Sequence, residues 1–148
     1  MAFISVQEND FDITQEITRL KNSNHAIGAV VSFTGTVRDI GGILTSMELE
    51  HYPGMTEKEL ERIALHAEER WPLEGCCVIH RYGKLYPGDN IVLVITASAH
   101  RSAAFEAAEY LMDFLKTRAT FWKKETTHTG GKWVDAKEAD DDALKRWQ

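Results

Sequence analysis

Cysteine is scarce in this chain: of 148 residues only two are cysteines, and they are adjacent, Cys76 and Cys77. That spacing suits neither an ordinary disulfide nor a CxxC metal knuckle. Both are expected as thiols at the start of a buried strand, since a nucleophilic cysteine needs an activating neighbour that the sequence does not name. No segment approaches the ~20 consecutive apolar residues of a membrane span. The first residues, MAFISVQENDFD, lack the basic start and apolar stretch of a secretory signal, so a cytoplasmic protein is expected. A formal net charge of −6 and a pI near 5.5 disfavour nucleic acid, which draws on a broad basic surface.

Motifs are missing too. GxxxxGK[ST], GxGxxG and GxSxG do not occur, so the usual nucleotide and hydrolase readings have no support. His25, His51, His66, His80, His100 and His128 show no HExxH or other close ligand spacing, and no metal or other cofactor is argued for. Without an internal repeat, low-complexity tract or linker, residues 1–148 read as one domain, large enough to bury roughly two thirds of its unfolded surface.

What is present is a regular alternation of elements. Asp12 with Gln15 forms a capping-box pattern ahead of Ile13, Ile17 and Leu20, predicting a helix over 12–22. GAVVSFTGTVR (28–38) reads as a strand that ends at Arg38, and ILTSMELEHY (43–52) as a half-buried strand antiparallel to it, with Ile43, Thr45, Met47 and Leu49 on one side. Thr56 with Glu59 suggests a second capping box, followed by the stripe Leu60, Ile63, Ala64, Ala67 and Trp71 until Pro72. CCVIHRYGKLY (76–86) and NIVLVITASA (90–99) are strand-like runs around the turn residues Pro87, Gly88 and Asp89. Because 91–95 is apolar throughout, that strand is expected to be covered on both faces. Ser102 is read as the N-cap of a helix reaching residue 116, with Ala104, Ala108, Leu111 and Leu115 inward. GGKWVDA (130–136) gives a short strand, and ADDDALKRW a last polar turn. The order points to an α+β domain with a mainly antiparallel sheet and flanking helices.

Two stretches carry chemistry. At SAHRSAAFE (98–106), His100 and Arg101 stand where a strand passes into a helix. A helix N-terminus with an arginine beside it can grip a phosphate; the plainer alternative is a solvated Arg101 and a satisfied loop histidine. At LKTRATFWKKE (115–125), Lys116, Arg118, Lys123 and Lys124 gather around Phe121 and Trp122 in an otherwise acidic chain. On a continuing helix Lys116 and Lys123, seven residues apart, would share a face. Two amines so placed oppose each other's charge, as suits a general base or nucleophile. The plainer alternative is a basic solvated face whose aromatics are core.

Taken together, FTGTVRD (33–39), LEHYPGM (49–55), RYGKLYPGDNIVLV (81–94), SAHRSAAFEA (98–107) and LKTRATFWKKE resemble the catalytic, large subunits of molybdopterin synthase, a MoaE-like family. The five blocks lie in the family's order across 28–147. The resemblance implies an α/β-hammerhead type fold and a homodimer within a heterotetramer. It also implies a small ubiquitin-like sulfur-carrier partner whose C-terminal Gly-Gly thiocarboxylate enters a pocket of this subunit. Sulfur would pass from two such tails onto cyclic pyranopterin monophosphate, forming the dithiolene of molybdopterin, with no metal required. Carried over by position, Lys116 and Lys123 match the family's catalytic lysines, and His100 and Arg101 its substrate-binding pair. Thr36, Val37 and Arg38 match the substrate-contacting strand end, Lys124 and Glu125 the binding stretch after the second lysine, and Phe33 a pocket wall. The chain departs from the family's pattern at Thr120, where a proline is expected, and at Lys137, where an arginine is expected; a lysine keeps the charge but loses the two-pronged donor. Two rivals are a non-catalytic adaptor that binds a ubiquitin-like tail, and a phosphate-ester enzyme using only His100 to Ser102.

Overall fold

A computed structural model describes residues 2–39, 41–118, 121–127, 130–134, 138–145 and 147. The elements are β1 (Phe3–Gln7), α1 (Ile13–Lys21), β2 (Ala29–Thr36), β3 (Leu44–His51), α2 (Met55–Arg70), β4 (Leu73–Arg81), β5 (Gly83–Leu85), β6 (Asn90–Ser98), α3 (Arg101–Thr117), β7 (Phe121–Thr127), β8 (Gly130–Val134) and α4 (Glu138–Lys145). The class is α+β and the strands are mainly antiparallel, as the sequence predicts. They are divided between two four-stranded sheets, ordered β1-β4-β6-β2 and β5-β3-β7-β8.

The first sheet is built around β6, which pairs antiparallel with β4 on one side and β2 on the other. Val92, Leu93, Val94 and Ile95 are all at most 4% exposed, as the unbroken apolar run predicts. Phe11, Ile13, Ile17 and Leu20 cover one face with Leu93, Ile95, Cys77 and Ile79. The α2 and α3 stripes cover the other with Val92, Val94, Cys76 and Val78. Adjacent cysteines on a strand must face opposite ways, and Cys76 and Cys77 do: both are buried free thiols, each pushed up to about 12 chiefly by burial.

Several local expectations change. β3 is not paired with β2; it lies in the second sheet, between β5 and β7. A register shift between Leu44 and Ser46 turns over the alternation, so Leu44, Met47 and Leu49 are buried while Ile43 is 56% exposed and Thr45 faces solvent. The α2 start lies at Gly54, whose N–H is accepted by Glu57 Oε1; Thr56 instead accepts from the Tyr52 N–H, and Glu59 pairs with Arg62. At α1 the expected cap is present, with Asp12 Oδ1 accepting from the Gln15 N–H. The run over 76–86 is broken at Tyr82: β4 stays in the first sheet and β5 crosses to the second. β1, which pairs parallel with β4, adds an unpredicted strand. The polar tail over 139–147 contains helix α4, with Leu144 4% exposed, because Trp147 packs on Trp71 and Tyr110 beneath it.

Candidate active site

The end of β2 is fixed by its backbone. Val37 donates its N–H to Asp89 O and accepts from the Gly88 N–H, which holds Thr36 and Arg38, both exposed, at one end of the first sheet. Phe33 lies on this edge strand, 42% exposed. Its ring passes over Gly35, where an added Cβ would stand 2.8 Å from Val92 Cγ1 and 3.5 Å from Phe33 Cε1. A side chain at 35 would therefore collide with Val92 while only touching the ring.

Helix α3 starts at Arg101, with His100 in the N-cap position, so Ser102 is not the cap; its hydroxyl donates to Glu106. The helix fails to be capped by a side chain because His100 makes no capping hydrogen bond. His100 and Arg101 are both exposed there, beside free helical N–H groups of the kind that bind anions. Lys116 occupies the last turn of the same helix. Fifteen residues at ~1.5 Å rise put Arg101 and Lys116 about 22 Å apart. Within one chain the predicted anion pair and the predicted catalytic lysine do not meet.

The segment LKTRATFWKKE does not continue as a helix. α3 stops at Thr117, with Arg118 as C-cap donating its N–H to Phe114 O, and β7 begins at Phe121. Lys116 and Lys123 therefore stand on a helix end and on a strand, not on one helical face. Thr120 and Lys137 lie outside the described residues. Along β7, side chains alternate: Phe121, Lys123 and Glu125 project to one face, opposite His51, Leu49 and Met47 of β3, while Trp122 and Lys124 project to the other, opposite Glu50 and Glu48. Lys124 is thus on the far face from Lys123, in register with Glu48, its Cε lying over Gly131 of β8, and Trp122 rests on Tyr52 with centroids 4.7 Å apart. On the inward face Phe121 packs against the core beneath α2 and α3, and Val37, next to Arg38, packs with Met47 and Leu49, the β3 partners of Glu125 and Lys123.

Sequence reasoning missed what fills the space between the sheets here. His80, on β4, stacks on Phe121 at 3.7 Å between centroids and 16° between planes. His51 lies 6.1 Å from Phe121 and 4.3 Å from Tyr82. Burial drives the His80 imidazole down to about 4, and Lys116 and His51 are close enough for their charge to push it the same way. A histidine directly after the apolar strand run CCVI was the available signal. Among the described residues no group of three His, Cys, Asp or Glu side chains is placed to hold a metal ion.

Known proteins resemble the chain in sequence and in fold. The family described as MoaE protein matches the chain over residues 6–118. A molybdopterin synthase catalytic subunit from Mesorhizobium japonicum is 58% identical over 147 residues, covering 98% of this chain and 92% of the relative. The solved molybdopterin biosynthesis MoaE protein of Burkholderia ambifaria superposes with a TM-score of 0.87 at 53% identity, covering 99% and 98% of the two chains. The crystal structure of molybdopterin synthase from Staphylococcus aureus gives a TM-score of 0.82 at 34% identity, covering 88% and 95%. With the family model matching residues 6–118 and the likeness to its members running through nearly the whole length, the chain belongs to the MoaE family, that of the molybdopterin synthase catalytic subunits.

Proposed function

We propose that the chain transfers sulfur from the C-terminal thiocarboxylate of a small ubiquitin-like carrier to cyclic pyranopterin monophosphate, building the dithiolene of molybdopterin in the cytoplasm. The observation that carries this reading is the approach of cation-bearing segments in a chain of net charge −6: Lys116 is near enough to His80 to act on its charge, His80 stacks on Phe121 two residues before Lys123, and Val37, next to Arg38, packs with Leu49, the β3 partner of Lys123. Both visitors are anionic there: the tail ends in a thiocarboxylate and the pterin bears a phosphate. Attack on the pterin side chain needs a base, and release of the tail passes through an oxyanion that fixed cations stabilise. Lys116 is assigned as base or covalent anchor. Lys123, with Arg38, is assigned to the tail and the developing oxyanion.

The distance between Lys116 and Arg101 supports a composite site. A homodimer in which a second copy delivers its His100 and Arg101 to the lysine end would hold the phosphate while Lys116 and Lys123 act on the side chain; closed two-fold pairing repeats the arrangement at both ends. The decisive experiment mixes the purified protein with thiocarboxylated carrier and cyclic pyranopterin monophosphate and follows dithiolene formation. Two carriers consumed per product supports the reading. Tight carrier binding with no conversion would establish the adaptor instead.

A further inference from the structure

The ring pair His80–Phe121 joins the two sheets at the point where the chain leaves α3. His80 is held in the first sheet opposite Val92 of β6 and Val6 of β1. Phe121 is the first residue of β7 in the second sheet. The imidazole cannot turn freely, because Nδ1 lies 2.8 Å from the Arg81 carbonyl; a carbonyl only accepts, so Nδ1 carries the proton and Nε2 does not. Arg81 is itself held, donating to Glu8 O and Asn90 O, each at 3.0 Å. The stack is thus fixed from the first sheet. Phe121 is five residues after Lys116 and two before Lys123, and the period of two puts the Lys123 side chain on the Phe121 face of β7.

Resting on the sulfur-transfer reading above, we propose that His80 is a positioning residue of the site: stacked on Phe121, it clamps the start of β7 to the first sheet and so sets the separation and orientation of Lys116 and Lys123. An imidazole that stays uncharged is fitted to this place. It supplies a flat ring for stacking while adding no further cation beside Lys116, whose charge acts on it from α3, with His51 facing it from β3. A loosened clamp moves one amine relative to the other, and small displacements of reacting groups are costly.

The test uses His80→Ala, which removes the stack, and His80→Phe, which keeps a stacking ring without nitrogen, both in the full chain with its carrier. Expected for His80→Ala is a fall in kcat of about tenfold or more, with KM for the pterin and Kd for the carrier within about twofold of wild type, and recovery of most of kcat in His80→Phe. A separate readout needs no turnover: crosslinking of Lys116 to Lys123 with a short difluorodinitrobenzene reagent, scored by mass spectrometry, should drop in His80→Ala and return in His80→Phe. Should His80→Ala fail to fold, Phe121→Leu removes the stack from the other strand and must show the same losses. Wild-type kcat and crosslinking in a folded His80→Ala or Phe121→Leu protein would overturn the clamp, as would His80→Phe behaving like His80→Ala. A wild-type protein that makes no dithiolene, yet shows the crosslinking pattern, would overturn the sulfur-transfer reading and leave the clamp standing.

Discussion

Arg101 is the first residue of α3 and Lys116 the last but one, so the residues assigned to phosphate binding and to proton transfer are held apart by a rigid helix of about 22 Å between them. If two copies build each site, Arg101→Ala and Lys116→Ala should each be inactive alone, but a mixed dimer carries one site with both residues intact and one with neither. Random re-association of equal amounts should then restore roughly a quarter of wild-type turnover, since half of the dimers are mixed and each has one working site. Activity of the mixture in the dithiolene assay measures this directly. No recovery would mean that each site is built within one chain.

Lys116 is exposed on the last turn of its helix, so its removal should be felt in the chemistry and not in the fold. For Lys116→Ala a loss of kcat of at least about a hundredfold is expected, the size typical of a lost general base, with a stability change within about 0.5 kcal/mol. Urea unfolding and carrier binding are the controls. Turnover near wild type would remove Lys116 from the role given to it.

The acid side of stability should carry a signature of His80. Its folded value lies near 4, below the ordinary value of about 6.5, so the unfolded chain binds this proton first as the pH drops. The native state therefore keeps its full stability above about 6.5 and loses it progressively between about 6.5 and 4, after which this site contributes no further change. Burial, Lys116 and His51 all oppose an added positive charge on the ring, and together they outweigh the Arg81 carbonyl, whose hydrogen bond with Nδ1 favours it. Comparing urea unfolding of wild type and His80→Phe at pH 7.5 and pH 4.5 isolates the effect: the wild type should lose more stability across that interval. Equal losses would show that the ring takes up its proton without cost in the native state.

Much of the architecture was readable because it is local. The stripe on α2, the inward face of α3 and the unbroken apolar run of β6 each follow from spacing, and all lie in the core. What escaped depends on partners far away in sequence. β3 belongs with β7 instead of β2, and a register shift between Leu44 and Ser46 turns Ile43 and Thr45 outward while Met47 and Leu49 stay inward, neither of which a periodicity can report. The lysine pair failed for a related reason: the helical spacing of Lys116 and Lys123 was real in number, but Thr117 ends the helix and Phe121 finds a better partner in His80 than in another helical turn. The candidate cations were legible as a group, because four in eleven residues of an acidic chain demand an explanation. Their division between two ends and two faces was not.

The two cysteines offer a test of where the sulfur travels. Cys76 and Cys77 face opposite sides of the first sheet, both buried, and both thiols are raised to about 12, so at neutral pH almost none is the reactive thiolate. A protein that received sulfur on its own cysteine would need the reverse. Replacing both, as Cys76→Ala with Cys77→Ala, should leave dithiolene formation unchanged while costing about 1–2 kcal/mol of stability for the lost packing. In the native wild type a thiol reagent such as dithiobis(nitrobenzoate) should react with neither until the chain is unfolded in urea, when two thiols per chain appear. Rapid labelling of the native protein, or loss of turnover in the double variant with its fold intact, would place a cysteine on the sulfur route and require the lysines to share the chemistry with it.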